Sequence, residues 1–204
     1  MSGGLSIPFA ILGLTNAFSL RWLFVTLAFV ALFILAGRLA FKCIPKLRIA
    51  CGPNVNGCSV LARWQPPARF WRLAVYTECL KSVTNCKGFL TRIDKDGENK
   101  WGDESQQLTF SQGEDPDALS KTVYNKVPAF LDVLVLTSTN EIIPGTKDRK
   151  WPYVVRMRDI FSEPGQYMLT VAVTGDGSPT ISALLRFNWT GYWQTSQLTL
   201  MESD

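Results

Sequence analysis

The chain contains no histidine. That absence removes histidine-based triads, the usual proton shuttle near neutral pH and nearly every catalytic zinc arrangement. The phosphate-cradling pattern G-x-x-x-x-G-K-[ST], the dinucleotide turn G-x-G-x-x-G and the nucleophile elbow G-x-S-x-G are missing as well. Past the N-terminal apolar region there is no internal repeat and no long amphipathic helical pattern. Acidic residues are absent from positions 1–77, which hold eight basic ones: Arg21, Arg38, Lys42, Lys46, Arg48, Arg63, Arg69 and Arg72. Few routes to catalysis survive, and neither enzymatic activity nor a cofactor is expected.

What is present first is an apolar run. From Trp22 to Gly37 sixteen residues carry no charge, and Thr26 is the one polar side chain. At ~1.5 Å per residue that run covers about 24 Å, and Leu39 to Phe41 lengthen it toward the ~30 Å hydrocarbon core if Arg38 snorkels. Residues 21–42 are therefore expected to form a transmembrane helix. A cleaved signal peptide fits less well, because the first twenty residues have no Lys or Arg and "LAGRLAFKC" offers no small-x-small cleavage site. Residues 1–20 are expected to lie at the interface or to form half of a helical hairpin turning near Thr15-Asn16.

Basic residues crowd the far side of the span. Arg38, Lys42, Lys46 and Arg48 follow it, Arg21 alone precedes it, and no acid appears before Glu78. Positive charge stays on the cytoplasmic side, so the soluble part is expected inside, with its basic collar against the anionic inner leaflet. Residues 78–204 carry thirteen basic and seventeen acidic side chains, a charge of −4 that argues against nucleic acid as a partner. The alternative placement, periplasmic or extracellular, makes the domain an exported adhesion-type module.

Residues 43–69 read as a basic juxtamembrane segment with a first strand at "KLRIACG" and a short one at "SVLARW". Strand signals dominate from 70 to 204. "RFWRLAVYTEC" alternates, with Phe70, Leu73, Val75 and Cys79 grouped and Trp71 breaking the period; "CKGFLTRID" sets Phe89, Thr91 and Ile93 against Leu90 and Arg92. "PAFLDVLVLTST" reads as a buried strand, "YVVRMRDIF" as an alternating strand, and "DPDALSKTV" as one helical turn. "GQYMLTVAVTGDGSPTISALLRFNWTG" is a hairpin about Gly-Asp-Gly. Such a series of short strands predicts an antiparallel β-sandwich whose core holds Leu73, Val75, Phe89, Leu134, Leu136, Leu169 and Val171.

"EPGQY", Glu163 to Tyr167, resembles the tyrosine corner of immunoglobulin-like domains, in which a phenol ties back to the backbone upstream. With "RFWRLAVYTECLKSVTNCKGFLTRID" and "PGQYMLTVAVTGDG", the chain resembles uncharacterised bacterial membrane-anchored proteins carrying an immunoglobulin-like (CARDB-like) β-sandwich domain. That resemblance implies a binding or scaffold module with an unknown protein partner and carries over no catalytic residue.

Three candidate clusters remain. Cys51, Cys58, Cys79 and Cys86 lie in two pairs of equal spacing, wider than the two to four intervening residues usual in structural zinc sites, so buried free thiols are the simpler reading and no metal is expected. "DKDGENKWGDES" matches a calcium loop only at its first, third and fifth places, and Glu114, Asp115 and Asp117 read as a polar loop. Trp189, Tyr192 and Trp193 in "NWTGYWQ" form a docking patch if exposed and the end of the core if not.

Overall fold

The computed structural model describes residues 7–42, 45–52, 55–62, 67–111, 118–146 and 151–203, with the side chains of 7–20, 39–42, 151–154 and 202–203 outside that description. The chain divides into two units, Met1–Cys43 and Ile44–Asp204.

The described part of the first unit is one helix, α1 (Ile7–Lys42, 36 residues). It runs through Thr15-Asn16 without a break, so the expected hairpin turn does not form there. Once the run from Trp22 is helical, extension costs little per residue and "IPFAILGLTNAFSL" contains nothing that stops it. The window Arg21–Arg38 is long and apolar enough to cross a membrane, and none of it is buried. Thr26 Oγ1 donates back to the carbonyls of Trp22 (2.6 Å) and Leu23 (3.0 Å), so the run's one polar side chain is satisfied within the helix, as lipid requires.

The second unit is mainly β, with two antiparallel sheets over one core. The smaller sheet has the order β1 (Leu47–Ala50), β3 (Ala68–Thr77), β8 (Ala129–Thr137), β9 (Ile142–Pro144), with β2 (Ser59–Ala62) also on β3. The larger runs β12 (Gln197–Ser203), β11 (Ser178–Trp189), β10 (Gly165–Gly175), β4 (Val83–Lys95), β5 (Glu98–Asn99), with β6 (Gln106–Leu108) and β7 (Lys121–Val123) also on β4. Alternate residues of facing strands fill the space between: Trp71, Leu73 and Val75 from β3, Leu131, Leu134 and Leu136 from β8, Leu169, Val171 and Val173 from β10.

Two bulges correct the expected faces. On β4 the register against β10 jumps from Arg92–Thr170 to Leu90–Val171, leaving Thr91 as an extra residue. Leu90 and Ile93 therefore both point inward, and Phe89, expected in the core, is half-exposed on the other face. On β8 Val133 is the extra residue, since Trp71 pairs Leu134 while Arg72 pairs Asp132. Leu131 thus joins Leu134 and Leu136 in the core, while along β3, which has no extra residue, Trp71 alternates with Leu73 and Val75 and Phe70 faces away, packed with Ala68 and Val135. Behind that face Arg72 Nε meets Asp132 Oδ1 at 2.7 Å, the guanidinium lying 5.0 Å from the Phe70 ring centroid.

"YVVRMRDIF", expected as a strand, forms helix α2 (Trp151–Ile160). Its alternation also satisfies a helical period: Met157 and Phe161, four apart, are buried, and Pro152 sits in the first turn, where its missing N–H costs nothing. The helical turn expected across "DPDALSKTV" gives way at its C-terminal end to β7; 115–117 lie outside the described residues. Asp96 (φ 54°) and Gly97 (φ 82°) make the two-residue turn between β4 and β5, as their sequence invites.

Candidate functional site

The two-sheet unit has two ends. At the end where β10 begins, the Tyr167 hydroxyl donates to the Glu163 carbonyl at 2.7 Å and lies 3.1 Å from that of Ile160, the backbone tie expected of "EPGQY". Burial raises the pKa of this phenol. Phe161, Phe187 and Trp189 close the core around it: Phe161 sits 4.6 Å from Tyr167 and 5.5 Å from Phe187, and the Trp189 indole donates to the Phe161 carbonyl at 2.9 Å.

Outside this aromatic plug lies a cleft of about 630 Å³ lined by Lys95, Asp96, Glu98, Lys100, Arg156, Asp159, Ile160, Ser162 and Glu163. Its charges answer one another. Lys95 meets Glu163 at 2.8 Å, Lys100 meets Glu98, and Arg156 binds Glu104 at 2.9 Å and the Trp101 carbonyl while stacking on the Trp101 ring. The hydrogen bond with Glu163 raises the pKa of Lys95, and the same bond lowers that of Glu163; Lys100 lowers that of Glu98. Each group moves away from neutrality. A general acid or base needs the opposite, so these three groups are held as fixed charges.

Burial decides residue by residue between the two readings of the Trp189, Tyr192 and Trp193 cluster, exposed patch or end of the core. Trp189 is core, Trp193 packs against the core with the Arg69 guanidinium 5.8 Å from its ring, and only Tyr192 of the three is exposed. Alternation along β11 turns Trp189 inward on the same face as Phe187 and Leu185.

The cysteines separate too. Because β1 and β2 dock end to end along one edge of β3, the two ends of the segment between them lie close and the Cys51 and Cys58 thiols come into contact. Val55 N–H to Gly52 O and Cys58 N–H to Val55 O, both 3.1 Å, hold that loop. The thiol–thiol contact raises the pKa of Cys51 and lowers that of Cys58 to about 7. Cys86 is buried beside Val83 and pushed up to about 11 by desolvation. Among the described residues no three of these thiols, or of any Cys, Asp and Glu side chains, converge as a metal site would require. In the calcium-like stretch Asp94 is bonded by Arg92 along β4 while Asp96 occupies the turn. Glu114, Asp115 and Asp117, with Cys43, Arg63 and Trp64, lie outside the described residues.

The basic collar is reorganised most. Arg21 and Arg38 are exposed at the limits of the apolar window; Lys42 ends α1, its side chain outside the description. Arg48 is matched to Glu78 at 3.4 Å across β1 and β3. Arg69 sits at the opposite end of β3, donating to the Gln194 carbonyl at 2.9 Å, and Arg72 is committed to Asp132. Lys46 remains exposed at the start of β1. Two further exposed lysines, Lys81 and Lys126, join it there from loops distant in sequence; nothing local in the sequence flags them.

Comparison with protein-family models, with curated proteins and with solved structures finds no match for this chain.

Proposed function

We propose that this chain is a membrane-anchored binding or scaffold module: α1 crosses the bilayer, and an immunoglobulin-like β-sandwich on the cytoplasmic side carries the interaction with a protein partner. The observation that carries the reading is the fully exposed apolar window Arg21–Arg38, joined within a few residues to a unit with a complete core of its own. Nothing but lipid or another apolar chain accommodates such a helix.

The strand order supports the immunoglobulin-like description. β1, β3 and β8 fall where strands A, B and E belong, and β4, β10 and β11 where C, F and G belong. The tied Tyr167 opens the strand that takes the F position. Two features depart from that pattern: β9, on the edge where D belongs, follows β8 in sequence, and β12 extends the sheet beyond β11. A non-catalytic role is supported by the lack of histidine and by cleft charges held away from neutral pKa values.

The exported, adhesion-type reading is favoured by one observation, the contact of the Cys51 and Cys58 thiols, since neighbouring thiols are the ones an oxidising compartment joins. One experiment separates the two. A membrane-impermeant amine reagent applied to intact expressing cells leaves the domain lysines unmodified on the cytoplasmic reading and labels them only after lysis. Labelling without lysis, together with a Cys51–Cys58 disulfide in freshly isolated protein, places the domain outside.

A further inference from the structure

The end of the domain at which β1 begins is built around Thr77, a fully buried residue at the end of β3. Leu47 pairs with it across the sheet. Its N–H points to the Tyr124 carbonyl (3.4 Å), its carbonyl accepts from Lys126 N–H (3.0 Å), and its hydroxyl accepts from Cys79 N–H (3.2 Å). The start of β1 and the loop at 124–126 are thereby gathered beside the β3–β4 loop.

What those loops present to solvent is unusual for a polar turn region. Leu80 is 94% exposed, Val127 59% and Tyr124 57%. Lys46, Lys81 and Lys126 stand exposed among them, and the nearby carboxylates of Glu78 and Asp176 are engaged by Arg48 and by Thr84. Lys126 is held at φ 56°, a left-handed conformation that makes the tight reversal carrying Val127 outward. Apolar tips ringed by lysines have the composition of a bilayer interface, where side chains reach the acyl boundary and ammonium groups meet lipid phosphates. Four residues separate Lys42 from Leu47 in the sequence, a reach of at most about 17 Å when extended. Leu47 belongs to this same end, and Arg69 and the charged cleft to the other.

We infer that the β3–β4 loop and the β7–β8 loop form a lipid-contacting tip, in which Leu80, Tyr124 and Val127 enter the headgroup region and Lys46, Lys81 and Lys126 bind anionic lipid phosphates. This rests on α1 spanning the membrane. Its consequence is orientation: the domain stands on the bilayer by the tip, and the far end, with Tyr192 and the charged cleft, faces the aqueous phase toward a partner.

The test uses the full chain reconstituted in vesicles of phosphatidylcholine, with and without phosphatidylglycerol. Benzoylphenylalanine is placed at exposed position 80, 127 or 103, the last being on the far end, and lipid adducts are read by mass spectrometry after irradiation. Adducts are expected at 80 and 127, several-fold above 103, and higher with phosphatidylglycerol. Reversing one lysine (Lys81→Glu or Lys126→Glu) is expected to lower them by roughly fivefold. Equal adducts at all three positions, or adducts to a second copy of the chain instead of lipid, overturn the tip while the chain stays in the membrane through an alkaline wash. Release by that wash overturns the anchor itself, a separate failure.

Discussion

Removing one oxygen atom from the core tests how the end of the domain at β10 is held. In Tyr167→Phe the ring keeps its place, 4.6 Å from Phe161 and beneath the Lys95 ammonium at 5.3 Å, and only the hydroxyl is lost. That hydroxyl has one proton, shared between the Glu163 carbonyl at 2.7 Å and the Ile160 carbonyl at 3.1 Å. Glu163 is exposed and Ile160 half-buried, so water reaches the first acceptor after the change and the desolvation penalty is limited. The cost is then that of a net neutral hydrogen bond, about 1 kcal/mol, below the ~3 kcal/mol of a fully orphaned buried group. In a unit of this size it lowers Tm by about 2–4 °C. Tyr167→Ala also empties the ring's site and costs about 3–5 kcal/mol. Urea titration of the detergent-solubilised full chain, followed by tryptophan fluorescence, measures both. If Tyr167→Phe lies within about 0.3 kcal/mol of the parent, the tie contributes nothing and the reasoning fails.

Asp132→Ala leaves the Arg72 guanidinium, 17% exposed, without its 2.7 Å partner and is expected to cost about 3 kcal/mol in the same titration, whereas Arg72→Met with Asp132→Leu recovers most of that loss. Gly145→Ala puts a Cβ 2.1 Å from the Asp132 carbonyl oxygen, a backbone atom that cannot swing aside, so a loss of about 3 kcal/mol is expected by thermal melting. The Lys95–Glu163 pair sets a pH window. Glu163, lowered from 4.5, contributes stability above that value and loses it as pH falls through its folded pKa; Lys95, raised from 10.5, contributes below that value and loses it as pH rises through its own. The urea midpoints of Lys95→Met and parent should therefore differ by a constant amount between about pH 6 and 9 and converge at either extreme.

The strands were readable because most keep period two over a half-buried surface, and the β10–β11 hairpin and the Asp96-Gly97 turn follow from residues that tolerate those backbones. The sequence misled where a single extra residue reset the period. Thr91 does so on β4, exchanging Phe89 for Leu90 in the core, and Val133 does so on β8, bringing Leu131 in with Leu134 and Leu136; on β3 it is Trp71, not Phe70, that keeps period two with Leu73 and Val75. α2 was missed because nine residues alternating Val, Arg, Met and Phe satisfy both periods; Pro152 near its start and the Met157–Phe161 spacing were the signals that favour a helix. Both features with functional bearing come from long-range pairing. Cys51 meets Cys58 only because β1 and β2 share β3, and Leu80 joins Tyr124 and Val127 only because Thr77 binds the second loop. Spacing along the chain marks the first only as one of two equally spaced cysteine pairs and holds no record of the second.

Alkaline carbonate extraction of the full chain from membranes of expressing cells tests the anchor most directly. The account predicts that the chain stays in the pellet and leaves it only with detergent, because Arg21–Arg38 presents an unbroken exposed apolar surface. With Phe29→Lys and Phe33→Lys, which put two charges into that window, it should move to the supernatant. Recovery of the unaltered chain in the carbonate supernatant would contradict the account.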